Sequence, residues 1–290
     1  MSALFNYKTL VTRLEKSTRT LYVTINDIEN QNDFSMEMLF EFESILSWLI
    51  TKVEIHSVVV NSSTEYFSRG LNNQHIKHLK RPTLEKLLEK VAKLNLAMLH
   101  LPQTIVFDLG NGAQGVAAEL ALGADIRLAN INTQIKFNHT HFGLIACSGG
   151  LGLLSHIINP AMARNWVLSA ANIPSQQLTE SGFIYQMYDS TNRDEVLKKL
   201  LESIRTQAPI QRIQSKLGLL EVIREKVEAS IEFEKKLTKA AMMAEDWKNI
   251  DENHNREFLK AKSMSYSVKL TLLKNEEHAE ALPNNVTPIN

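Results

Sequence analysis

Hydrophobic positions along the chain change period several times, and each change marks an element. Leu21, Val23 and Ile25 alternate with Tyr22 and Thr24, the two-residue period of a half-buried strand. Lys16-Ser17-Thr18 separates that segment from an extended one over Tyr7 to Glu15, which predicts a hairpin. Met38, Leu39, Phe42, Ile45, Leu46, Leu49 and Ile50 then recur at helical spacing behind Ser35 as a cap. Ile55 to Val60 is a short β-branched run, suited to a strand covered on both faces. After a break at Lys80-Arg81-Pro82 comes a second helical stripe, Leu84, Leu87, Leu88, Val91, Leu94, Met98 and Leu101, and Thr104 to Val106 starts the next strand. Strand, helix, strand, loop, helix, strand argues for an α/β fold with mostly parallel pairing.

The stretch from Thr104 to Gly152 holds the candidate chemistry. A loop with Gly110, Gly112 and Gly115 opens an apolar helix whose one early acid is Glu119. Strand, glycine loop and helix start together point N–H groups at whatever lies above the turn. A carboxylate in an apolar helix needs a task or a partner, so Glu119 is the first candidate; the plain alternative is a structural acid neutralised by a neighbour. In the earlier loop over 61–73, Gly70 lets the backbone approach a ligand and the Leu71 amide point into a site, although a turn alone also explains a glycine. Gly149-Gly150-Leu151-Gly152 precedes another helix start, Pro160 begins a helix with Ala163, Trp166 and Val167 inward, and residues 173–182 read as a capped helix ending at Gly182 before a short strand. Nearly everything from Arg193 to Lys262 reads as helix with charged faces. The expected organisation is a core over 1–190, a helical region over 191–262 that serves oligomerisation or as a lid, and a poorly ordered or partner-dependent tail over 263–290.

Composition narrows the classes. With 44% hydrophobic and 22% charged residues in 290, the chain is an ordinary globular protein. Lys plus Arg and Asp plus Glu both number 32, so no net field favours nucleic acid or an anionic membrane. No apolar run approaches the ~20 residues of a membrane span, the N-terminus lacks a secretory pattern, and a lone cysteine fits a reducing compartment. A cytoplasmic location is expected. Cys147, before the glycine run, would be reactive as a thiolate near a helix start; a small buried residue is the weightier reading. His139 and His141, spaced as on one strand face, have no Cys, Asp or Glu nearby to complete a ligand set, so no metal is expected.

Four ordered segments resemble the crotonase, or enoyl-CoA hydratase/isomerase, superfamily. They are Phe67-Ser68-Arg69-Gly70-Leu71-Asn72; Gly115-Val116-Ala117-Ala118-Glu119-Leu120-Ala121 with Asp125-Ile126-Arg127-Leu128-Ala129; Gly143-Leu144-Ile145 with Gly149-Gly150; and Leu178 to Ile184. Glu252 to Lys262 is similar to the family's closing helix, so the resemblance spans about residues 7 to 262. It implies a ClpP/crotonase-type spiral of ββα units with a C-terminal helical region, assembled as trimers or hexamers. It also implies an acyl-CoA thioester as substrate, with coenzyme A part of that substrate and no separate cofactor. By position, the Leu71 and Val116 amides would form an oxyanion hole, Glu119 would be one catalytic acid, and His139 stands where the second is usual.

Other departures accompany His139. Val116 replaces a glycine, and a β-branched residue there tolerates fewer backbone conformations. Arg69 replaces a small residue, to pair with a CoA phosphate or to fill the adenine pocket, with the balance slightly toward filling. Lys260 and Lys262 match a basic pair that reaches CoA phosphates; a solvated helix face suits them equally. The expected activity is hydration, double-bond isomerisation or thioester cleavage on a fatty acyl-CoA-like substrate. A catalytically silent subunit kept for binding or assembly is the alternative.

Overall fold

In the computed structural model, which describes residues 5–248, the alternating segments form β1 (Leu10–Glu15) and β2 (Thr20–Ile25), paired antiparallel as the expected hairpin. Helix α1 (Met36–Leu49) follows, with the Ser35 hydroxyl accepting the Met38 amide at 3.2 Å. Its apolar stripe is buried except at Ile50, which lies past the last turn and is 62% exposed. Glu41 points inward from the same helix and accepts the amides of Lys8, Thr9 and Leu10, pinning the start of β1 to α1.

The remaining elements are β3 (Ser57–Ser62), α2 (Asn73–Ile76), α3 (Arg81–His100), β4 (Thr104–Asp108), β5 (Gly112–Gln114), α4 (Val116–Leu120), β6 (Ile126–Asn130), β7 (Gln134–Lys136), α5 (Leu154–Ile157), α6 (Pro160–Ser169), α7 (Ser175–Glu180), β8 (Gln186–Tyr188), α8 (Arg193–Thr206), α9 (Pro209–Glu221) and α10 (Arg224–Met242). The main sheet has the order β1-β2-β3-β4-β6-β8, parallel from β2 onward. Val58 and Val60 of β3 face the large core with α1 and α3, while Val59 faces a smaller one closed by Val196, Leu197, Leu201 and Ile204 of α8. Both faces of β3 are therefore covered, each buried aliphatic side chain contributing ~1.5–3 kcal/mol.

Polar locks sit where elements change direction. The Tyr188 hydroxyl and the Arg193 guanidinium both donate to Asp108, joining β8 and α8 to β4. Buried Arg127 donates to the carbonyls of Ala121, Ala124 and Phe183, and Asp125 accepts the Ile105 amide and pairs with Lys216 of α9. The Asp125–Ala129 motif therefore holds the scaffold together. Strands β5 and β7 form a second, two-stranded sheet that the sequence does not announce. Lys260, Lys262 and the 263–290 tail lie outside the described residues. Among the described residues no helix is long and apolar enough to cross a membrane.

Candidate active site

The small sheet assembles the site. β5 and β7 run parallel, with Gly112 opposite Gln134 and Gln114 opposite Lys136. Leaving the same end, one chain turns through Gly115 into α4 and the other into a 3-10 turn over His139–Phe142. Glu119 and His139 therefore meet. The imidazole Nε2 lies 2.8 Å from Glu119 Oε2, with the two residues 3% and 0% exposed. The contact is oblique, so neither atom completes an aligned hydrogen bond, nor does His139 Nδ1 among the described residues. Phe137, two positions before His139, is locked between Trp166 and Phe183, which fixes the approach of that segment.

The other Glu119 oxygen is fully engaged. Oε1 accepts the amides of Ser148 at 2.9 Å and Gly150 at 3.0 Å. Asn95, in the middle of the α3 stripe, donates its side-chain amide to the carbonyls of Glu119 and Ser148, stitching helix and turn together. From the far side Glu234 of α10 enters the same turn, accepting Gly149 at 2.7 Å, Gly152 at 2.8 Å and Leu151 at 3.2 Å. Burial, reinforced by the nearby Glu119 charge, pushes the Glu234 carboxyl up to about 7 against the opposing pull of those amides. Sequence reasoning missed Asn95 and Glu234. Each stands at a core position of an apolar helical stripe, Asn95 four after Val91 and Glu234 three after Ile231, which is the signal that could have found them.

The two glycine loops come into contact. Gly70 adopts φ +84° and packs on the first turn of α4; a Cβ there would lie 2.7 Å from the Gln114 carbonyl oxygen and 3.2 Å from the Val116 nitrogen. Among the described residues neither the Leu71 nor the Val116 amide donates a hydrogen bond. The positive φ, 52°, falls on Gly115, and Val116 is the first residue of helix α4.

Two expectations change. Arg69 does not fill a pocket: it is exposed, its guanidinium 5.6 Å from the centre of the Tyr66 ring. His139 and His141 do not share a strand face, because the 3-10 turn that Gly143 closes at φ +62° buries the first and exposes the second. The helix read over 173–182 is α7, starting at Ser175 behind Pro174 with no side-chain cap bond and ending just before Gly182. Cys147 is buried, and burial first, then the Glu119 charge, pushes its thiol well up, away from thiolate chemistry. No group of three or more His, Cys, Asp or Glu suited to a metal occurs among the described residues.

A cleft of about 670 Å³ opens at the ends of β3, β4, β6 and β8, lined by residues such as Asn61, Thr64, Asn130 and Arg193. None of Glu119, His139, Leu71 or Val116 lines it. The chemistry available to the Glu119–His139 pair is proton transfer in a water-excluded setting, where one carboxylate oxygen is braced and the other retains hydrogen-bonding capacity.

Comparison with known proteins sets this arrangement in context. A family model described as enoyl-CoA hydratase/isomerase matches residues 15–262. The short-chain enoyl-CoA hydratase of Clostridium acetobutylicum is 22% identical over 239 residues, covering 81% of this chain and 91% of that protein. The 1,2-epoxyphenylacetyl-CoA isomerase of Escherichia coli is 26% identical, covering 68% of this chain and 76% of its own. The crystal structure of an enoyl-CoA hydratase from Bacillus halodurans superposes with a TM-score of 0.78 at 19% identity, covering 84% of this chain and 98% of that one. The fold is the crotonase fold.

Proposed function

The chain belongs to the enoyl-CoA hydratase/isomerase family, and on that premise we propose that it binds an acyl-CoA thioester and moves protons on an enolate derived from it. The Leu71 and Val116 amides donate to the thioester oxygen as it gains charge, each such donor being worth roughly 2.7–4 kcal/mol of barrier. Glu119, steadied through Oε1, uses Oε2 to take or return a proton, and His139 carries the partner proton. Hydration and double-bond isomerisation both need such a pair; thioester cleavage needs the same oxyanion donors with a water as nucleophile. The observation that supports this reading most is the buried Glu119–His139 contact at 2.8 Å, whose facing atoms lack aligned partners among the described residues.

The test is calorimetry with enoyl-CoA thioesters of graded length, followed by turnover of crotonyl-CoA. Binding that is lost without the thioester, and turnover abolished by Glu119→Gln, are the expected results. No binding of any acyl-CoA sinks the proposal.

One observation favours a second reading. Glu119 and His139 are enclosed and the 670 Å³ cleft does not reach them, as in a silent subunit kept for binding or assembly. His139→Glu without any gain of hydratase activity, on a wild type that is inactive, would select it. Under either reading the exposed Arg69 is suited to a CoA phosphate. Ile210, Leu219 and Val222, at 65%, 75% and 81% exposure on and just after α9, suit burial in a homo-oligomer, trimeric or hexameric, which light scattering measures. A reducing, cytoplasmic location accords with the single buried cysteine.

A further inference from the structure

Five consecutive amides, 148 to 152, are divided between two buried carboxylates from distant parts of the chain. Glu119 Oε1 takes Ser148 and Gly150; Glu234 takes Gly149 through Oε2 and Leu151 and Gly152 through Oε1. Along 148–151 successive amides alternate between the two carboxylates, and Gly152 joins Leu151 on Glu234 Oε1. The turn is also clamped sterically. A Cβ on Gly152 would lie 2.0 Å from the Ser230 hydroxyl of α10, and one on Gly150 would lie 2.6 Å from Glu119 Oε1.

This division has a consequence for the reacting atoms. A buried amide without an acceptor costs ~1–3 kcal/mol. If Glu234 let go, three amides, that of Gly149 buried and those of Leu151 and Gly152 partly so, would need an acceptor, and the carboxylate already in the turn is Glu119. Its second oxygen would be drawn from His139 to the turn. We propose that Glu234 is a positioning residue for the Glu119–His139 pair: by taking the Gly149, Leu151 and Gly152 amides it leaves Glu119 Oε2 to His139 and to substrate. The inference rests on the reading that this pair is the reacting centre. The other groups facing Glu234 do not compete for the role. The Cys147 thiol is buried and neutral, and Lys235 and Lys239 on the same helix pair with Glu232 and Glu89.

Glycine labelling reads the division directly, because Gly150 reports on Glu119 while Gly149 and Gly152 report on Glu234. The full-length protein is labelled with 15N-glycine and 15N-histidine, and wild type is compared with Glu234→Gln, which keeps the shape but cannot accept from both sides. The Gly149 or Gly152 amide proton moves upfield under any role for Glu234. The proposal requires that Gly150 and the His139 ring nitrogens shift as well, that kcat for crotonyl-CoA falls ~10-fold with KM held within about twofold, and that Glu234→Asp recovers part of the loss. Unmoved Gly150 and His139 signals beside shifted Gly149 and Gly152 would reduce Glu234 to a local brace and overturn the proposal. Should Glu234→Gln not fold, Glu234→Asp, whose shorter arm stretches the same three bonds, carries the comparison. A wild type that turns over no acyl-CoA while the spectra respond as required would remove the catalytic reading and leave the positioning intact.

Discussion

Replacing Gly150 by alanine tests whether the turn is packed on Glu119 as closely as the geometry requires. Gly150 is outside the left-handed region, so its backbone permits alanine. The obstacle is contact: an added Cβ would lie 2.5 Å from the Ala146 Cβ and 2.6 Å from Glu119 Oε1. Carbon atoms pack at ~3.5–4.0 Å, so something must retreat by about 1 Å. Overpacking of this kind costs ~1–3 kcal/mol. A central ~2 kcal/mol lowers Tm by roughly 3–4 °C in a chain of this size. Retreat of the carboxylate also displaces Oε2 from His139, and a misplacement near 1 Å costs turnover ~100-fold. The two clashes separate in a double variant. Adding Ala146→Gly removes the carbon contact and leaves the carboxylate one, so Gly150→Ala/Ala146→Gly should regain stability relative to Gly150→Ala while staying slow. Gly218→Ala is the control, since nothing lies within 4 Å of that exposed position in α9; it should stabilise by ~0.5–1 kcal/mol. Thermal unfolding and steady-state kinetics read all four proteins. A Gly150→Ala Tm within about 1 °C of wild type, with kcat unchanged, would refute the reasoning.

Other outcomes follow from the same contacts. Glu119→Gln keeps an acceptor for Ser148 and Gly150 but loses the base, so crotonyl-CoA turnover should fall at least ~100-fold while the melting curve stays close to wild type; retained turnover excludes Glu119 as the base. Tyr188→Phe removes a donor to the buried Asp108 and should cost ~1–2 kcal/mol in urea unfolding, an unchanged midpoint showing that Arg193 alone suffices. Glu234, with a carboxyl pushed from 4.5 up to about 7 in the fold, contributes stability that is full below its unfolded value and disappears as pH rises through 7. Between pH 4 and pH 8 that loss is about 3 kcal/mol, and Glu234→Gln should flatten the stability profile over that window. Parallel profiles for the two proteins would show that the carboxyl does not titrate there.

Much of the scaffold is legible because its signals are local. Alternation at Leu21, Val23 and Ile25, the β-branched run before Val60 and the α1 and α3 stripes each fall within or just beside one element, and the folded chain buries those positions except Ile50. What was not legible depends on pairing across distance. β5 and β7 have three residues each, too few for a period, and exist because each supplies the other's partner. The histidine spacing misled for a related reason: a two-residue repeat means a shared face only in an extended chain, and Gly143 closes this segment into a turn. Glu234 was hidden among charged neighbours on α10, where only its place on the stripe of Val227, Ile231 and Met242 sets it apart.

The structural reading of Glu119 and its proposed role are compatible, because its two oxygens meet different partners. Oε1 is committed to the Ser148 and Gly150 amides, and a carboxylate accepting two such bonds is held in one orientation. That commitment is what aims Oε2 at His139. A histidine opposite is physically consistent with so acidic a neighbourhood. Glu119 and Glu234 already grip one turn, and a third carboxylate at position 139 would add like charge where burial disfavours it. An imidazole can hold a proton between the pair without adding a negative charge. His139→Glu therefore introduces a carboxylate into a site already holding two, and its immediate effect should be a loss of stability that lessens at low pH, whatever it does to catalysis.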